Sequence, residues 1–123
     1  MATQRNTLEQ GRASFAYTCA QKSQTEDYRT AAKKLPMYIK TNGLGAAMAF
    51  MKTKNNTLYN NVQEWLKRDD CTVKPLLNWY QGPELSERLV NIDSSAYRAV
   101  TIEVLAFLNW LRRFADGFKN NSL

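Results

Sequence analysis

The sequence predicts an all-α fold: a compact single-domain bundle of about six helices with a long C-terminal helix. Three observations carry this reading. First, Tyr97 to Phe118 has a broad apolar face: Tyr97, Thr101, Val104, Leu108, Leu111, Ala115 and Phe118 recur at spacings of four and three, with Val100, Phe107 and Phe114 seven apart beside them. A stripe that wide must pack against several neighbours. Second, the chain holds only three prolines and five glycines, and most fall where helices should break. Third, its most apolar run, Leu44 to Lys52, has no β-branched residue, which disfavours a buried strand. At 123 residues the chain is one domain by length, with an ordered core expected over about 7–118. A chain of this size buries roughly two-thirds of its unfolded surface.

The elements follow in order. A first helix is expected from Thr7, as N-cap, to Lys22, with Leu8, Phe15, Ala16 and Cys19 on one face. Gly11 weakens it by up to about 1 kcal/mol relative to alanine. Ser23 to Thr25 is a loop, and Thr25 can cap a second helix opening with Glu26 and Asp27, whose dipole favours acids there. Tyr28, Ala31, Ala32 and Leu35 are its inner edge. Pro36 should end or kink that helix and open a short one, Pro36 to Thr41. Asn42-Gly43 makes a corner, and Leu44 to Lys52, apolar almost all round, is expected at the centre of the bundle.

Asn55 and Asn56 read as a loop, with Thr57 capping a helix from Leu58 to about Arg68 whose inner residues are Leu58, Val62, Trp65 and Leu66. Asp69-Asp70 opposes the dipole at its end, so the helix should stop earlier. Val73 to Tyr80 reads as helical after Pro75, up to Gly82, and Pro83 to Val90 as another turn or two. Asp93 or Ser94 should cap the last helix. Gly117 is where that helix can fray, and the polar tail 119–123 is expected to be mobile.

Composition narrows function. Without histidine the chain lacks the usual general base at neutral pH and the commonest metal ligand, so Ser-His-Asp and Cys-His catalysis are excluded. Cys19 and Cys71 stand alone, with no CxxC spacing, and read as reduced thiols in a core. No phosphate-binding glycine loop is present, since Asn42-Gly43-Leu44-Gly45 lacks both its spacing and its lysine. The start is polar, without a signal-like apolar segment, and the longest run of apolar and glycine residues, Gly43 to Met51, is far short of the roughly 20 residues of a membrane helix. The expectation is a soluble, cytoplasmic protein that is not an enzyme and carries no metal or cofactor.

The net charge of +6 lies wholly in the first half. Residues 1–54 hold nine Lys/Arg against three acids, and residues 55–123 hold eight of each. Arg29, Lys33, Lys34, Lys40, Lys52 and Lys54 follow one another without an intervening acid. Such asymmetry points to a polyanion-attracting face, although a solvated lysine surface would look the same.

Three pieces of the chain share an order and spacing with one family. They are Leu35-Pro36 followed by Asn42-Gly43-Leu44-Gly45-Ala46-Ala47-Met48-Ala49-Phe50, Tyr97-Arg98 with Thr101, and Phe107-Leu108-Asn109-Trp110-Leu111-Arg112-Arg113-Phe114-Ala115. Together they resemble the small all-helical subunit of the type III-B CRISPR RNA-guided effector, the Cmr complex, over roughly 7–116. The resemblance implies a structural role: copies stack as a short inner filament and help hold guide and target RNA, while RNA cutting belongs to the backbone subunits. Implied partners are the other effector subunits, copies of the chain itself, and guide and target RNA. No membrane and no small-molecule substrate is implied.

The residues supply a mechanism, because surface cations hold phosphates without reading bases. The RNA-binding candidates are Lys33, Lys34, Lys40, Lys52, Lys54, Arg98, Arg112 and Arg113; each could equally be an ordinary exposed cation. Arg98 has Glu103 as an alternative partner, and Arg112 has Asp116 at i, i+4. Trp110, Trp79 and Tyr80 are candidates for a subunit interface, with core packing the alternative for Trp110. Base stacking is open to Tyr59, Trp79 and Tyr80. An adaptor that binds only proteins, or the corresponding type III-A subunit, are the competing readings; the Asn-Gly-Leu corner favours III-B.

Overall fold

Local signals set most boundaries in the computed structural model, which describes the backbone of residues 4–121 and the side chains of 8–119. Six α-helices follow in order: α1 (Gln4–Lys22), α2 (Glu26–Asn42), α3 (Leu44–Lys54), α4 (Asn56–Lys67), α5 (Leu85–Leu89) and α6 (Ser94–Asn121). Two 3₁₀ turns, Lys74–Leu77 and Trp79–Gln81, link α4 to α5, and no strand occurs among the described residues. Thr25 Oγ1 accepts from Tyr28 N–H at 3.1 Å and Asp93 Oδ1 from Ala96 N–H at 2.8 Å, so both expected caps form. Helix α4 stops at Lys67, ahead of the two aspartates.

Other boundaries differ for physical reasons. The helix α1 opens at Gln4, so Thr7 lies inside it rather than at its cap; the Thr7 side chain is outside the described residues. Asn55, in extended backbone, replaces Thr57 as the α4 cap and accepts from Leu58 N–H at 3.1 Å. Pro36 does not end α2. The buried stripe Tyr28, Ala31, Ala32, Leu35 and Ile39 continues across it, and burying that stripe offsets the hydrogen bond proline removes. Val73 to Tyr80 forms two 3₁₀ turns instead of one helix, because Asn78 sits between them in left-handed backbone at φ 51°. Helix α6 runs through Gly117 to Asn121, and the remainder of the expected mobile tail is outside the described residues.

Helix α6 packs along α1 and against α2, and α3 bridges α2 and α4. The core is aromatic at its centre: Trp65 of α4 stacks on Phe107 of α6 at 5.7 Å and 6°, and Phe15 of α1 lies against both. One polar knot ties these three helices. Glu103 of α6, 5% exposed, accepts from Arg12 Nε and Nη2 at 2.7 and 2.8 Å and from Trp65 Nε1 at 3.0 Å. Cys19 and Cys71 are buried free thiols, and burial raises them to about 12 and about 11. Against expectation, α3 is not central. Leu44, Ala47, Met48 and Met51 are buried, while Ala46, Ala49 and Phe50 face outward, with Phe50 48% exposed. Its small apolar residues conceal in the sequence which side is covered.

Candidate nucleic-acid interface

On α2, Lys33, Pro36, Met37 and Lys40 fall at i, i+3, i+4 and i+7, the spacing of a single helix face. That face meets α6, which contributes Leu105, Ala106, Asn109 and Arg112, and the two helices enclose a groove of about 650 Å³. Among the described residues, three cations line it and no acid does. Lys33 and Lys40 stand about 10 Å apart along the helix axis, from 1.5 Å of rise per residue. Both are exposed. Arg112 Nη2 donates to Asn109 Oδ1 at 3.3 Å, a neutral acceptor that lines the groove with it. The floor, Pro36, Met37, Leu105 and Ala106, offers nothing that reads a base edge.

The other candidates are dispersed. Lys34 and Lys54 line a separate recess with Glu26 and Asp27, whose carboxylates offset them, and with Tyr38 and Phe50. Lys52 pairs with Glu84 at 2.5 Å and lies over the Tyr59 ring; this contact raises the lysine and lowers the carboxyl. Arg98 lines a shallow surface with Ile92, Ser94, Tyr97 and Thr101, and Glu103, its suggested partner, is taken by Arg12. The Arg113 guanidinium lies 5.9 Å from the Trp110 ring centre.

The aromatic candidates also separate. Tyr59 is 1% exposed and its hydroxyl donates to Glu84 at 2.8 Å, so it belongs to the core and is closed to base stacking. Trp79 is half-buried, its indole donating to Leu66 C=O at 3.0 Å beneath the Lys67 ammonium. Tyr80 is 82% exposed. Trp110 is half-buried and stacks on Phe114 at 5.7 Å and 23°. Sequence reasoning missed Met37, Leu105 and Asn109 as groove residues. The i, i+3, i+4, i+7 spacing on α2 was a signal for its half of the groove; nothing local paired it with α6.

Two of the pieces that carried the family resemblance meet in space. Gly45 N–H donates to Tyr97 Oη at 2.7 Å, so the last helix holds the α2–α3 corner. Gly43 turns that corner at φ +87°, and a Cβ there would lie 3.3 Å from the same hydroxyl. The Asn-Gly-Leu-Gly corner and Tyr97 are thus one joint, and Arg112 lies about four turns further along the same helix. The family model for CRISPR-associated protein (Cas_Cmr5) matches residues 8–118, which includes the joint and every residue of the groove. The chain belongs to the Cmr5 family. A relative in Thermus thermophilus, "CRISPR system Cmr subunit Cmr5", is 29% identical over 91 residues, 74% of each chain. Among the described residues, no helix is long and apolar enough to cross a membrane, and no group of three or more Cys, Asp or Glu is placed to hold a metal.

Proposed function

We propose that the chain is a non-catalytic structural subunit of a type III-B CRISPR ribonucleoprotein effector, acting in the cytoplasm in antiviral defence. Its copies stack with each other and with other subunits in the inner filament. Its α2–α6 groove holds guide or target RNA by sequence-independent phosphate contacts. Membership of the Cmr5 family and the name of the Thermus relative support the assembly. One observation carries the RNA contact: Lys33, Lys40 and Arg112 converge from two helices on one groove that no acid lines. Cations from two helices beside apolar groove residues suit a phosphate chain and leave sequence choice to base pairing elsewhere. The non-catalytic reading is supported by the most enclosed carboxylate, that of Glu103, which is occupied by Arg12 and Trp65. Lys34, Lys54, Arg98 and Arg113 are secondary RNA contacts in this reading, and Trp79 and Tyr80 face other subunits.

The test is RNA affinity of the full chain against salt. Three engaged phosphates give a log–log slope of about −2 on a single strand, a loss of roughly 20-fold between 50 and 200 mM salt. A Lys33→Glu/Lys40→Glu/Arg112→Glu variant should flatten that slope, whereas binding that is absent or salt-independent refutes the groove as a phosphate site. The adaptor reading keeps one specific support, the exposed Phe50 packed edge-on to Tyr38 at 5.4 Å on the α2–α3 flank.

A further inference from the structure

Adjacent residues on an α-helix point about 100° apart, so Arg112 and Arg113 leave α6 in different directions. Arg112 lines the α2–α6 groove, while Arg113 stands at a second concavity, between α1 and the end of α6. Tyr17, Phe114, Gly117 and Phe118 complete that cleft, whose volume is about 150 Å³. Its walls are rings. Tyr17 lies edge-on to Phe114 at 5.3 Å and tilted against Phe118 at 5.2 Å. Tyr17 remains 45% exposed. Gly117 leaves the cleft open on one side, since a Cβ there would meet no atom within 4 Å. Among the described residues, no aliphatic side chain and no carboxylate lines it.

Three features select the occupant. The lining is aromatic, and aromatic side chains are the groups on which bases of any identity stack. The one charged group at the mouth is a guanidinium, which attracts an anionic backbone and can itself stack on a base. And the two sites share α6, the groove lined by Arg112 and the cleft by the next residue, Arg113. We propose that this aromatic cleft takes one unpaired base of an RNA strand whose backbone lies in the α2–α6 groove, with Arg113 bridging the two. This rests on the phosphate-binding reading of the groove and adds a base-holding subsite to it. A bound strand would then be anchored by charge along α2 and fixed in register by one ring, without any base being read.

The experiment compares two ligands on the full chain at low salt: a uridine-rich 12-mer RNA and a ribose-phosphate 12-mer of the same length without bases. Stacking of one base predicts that intact RNA binds about 5- to 150-fold more tightly. In Tyr17→Leu and Phe118→Leu, which keep apolar bulk and remove the ring, that ratio should fall toward one while binding of the abasic strand is unchanged. Far-ultraviolet circular dichroism of both variants establishes that they are folded. A ratio of one in the unsubstituted chain overturns the base subsite and leaves the phosphate groove standing. Failure of both ligands to bind overturns the groove and the subsite together. Variants that keep the ratio but lose other effector subunits on co-purification show the cleft to be a protein contact, against the proposal.

Discussion

Removing the Glu103 carboxylate should be the most damaging single polar change in the protein. Three donors converge on it, Arg12 Nε and Nη2 at 2.7 and 2.8 Å and Trp65 Nε1 at 3.0 Å, and the acid and its arginine are 5% and 14% exposed. Glu103→Gln keeps the volume but sets an amide N–H₂ against at least one of these donors in either orientation. Losing one charge-assisted bond and leaving Arg12 undercompensated costs about 2–3 kcal/mol. Glu103→Ala abandons all three donors and costs about 3–5 kcal/mol, as for a buried pair broken from one side. Against a total stability on the order of 5–15 kcal/mol, either is a large fraction. At about 4 °C per kcal/mol for this chain length, the alanine variant should melt roughly 12–20 °C lower. Urea unfolding followed by circular dichroism measures both, with the midpoint falling and the slope unchanged. Arg12→Met combined with Glu103→Leu should recover part of the loss, because no unpaired charge remains, although Trp65 Nε1 is left without its acceptor. A Glu103→Ala cost below about 1 kcal/mol, or a double variant as unstable as the single, would show that the unpaired arginine is not what destabilises.

Other outcomes follow from the same contacts. Gly43→Ala forces a side chain into positive-φ extended backbone, at φ 87° and ψ 159°, and against Tyr97, and should cost about 1–3 kcal/mol in thermal or urea unfolding. Tyr97→Phe orphans the Gly45 amide and should cost about 0.5–1.5 kcal/mol by the same measurement. Cys19 and Cys71 should resist a thiol reagent at pH 8 in the folded protein and both react in urea, since burial holds both thiols protonated. Asp69, Asp70 and Glu84 are held below their ordinary values by Lys74, Arg68 and Lys52 respectively. Their contribution is therefore complete above the ordinary carboxylate range and lost as pH falls below it through the depressed folded-state values, and Tm should decline on acidification, less steeply in Lys52→Met/Glu84→Gln.

How much of this was legible in the sequence depended on the range of the interaction. The α6 stripe was, because its period repeats over six turns: Val100, Val104, Phe107, Leu108, Leu111 and Ala115 are all buried. Thr25 and Asp93 were legible as caps because a cap is a three-residue event. Pro36 misled, because its local cost was outweighed by a buried stripe that only tertiary packing creates. Leu44 to Lys54 misled because alanines fit inside or outside equally well. Among the cations, charge order along the chain could not distinguish Lys52, compensated by Glu84 from 32 residues away, from Lys33 and Lys40, which α6 gathers with Arg112. The Arg12–Glu103 pair, 91 residues apart, had no local signature at all.

The central claim is that Lys33, Lys40 and Arg112 act together as the phosphate-holding edge of an assembled effector subunit. The direct measurement is RNA retained per assembled particle when the chain is co-purified with its effector subunits, for the unsubstituted protein and for Lys33→Glu/Lys40→Glu/Arg112→Glu. Protein stoichiometry should be unchanged and RNA should be lost progressively as salt rises, at lower salt in the variant. Equal RNA retention across the salt series, or loss of the protein partners themselves, would contradict that claim.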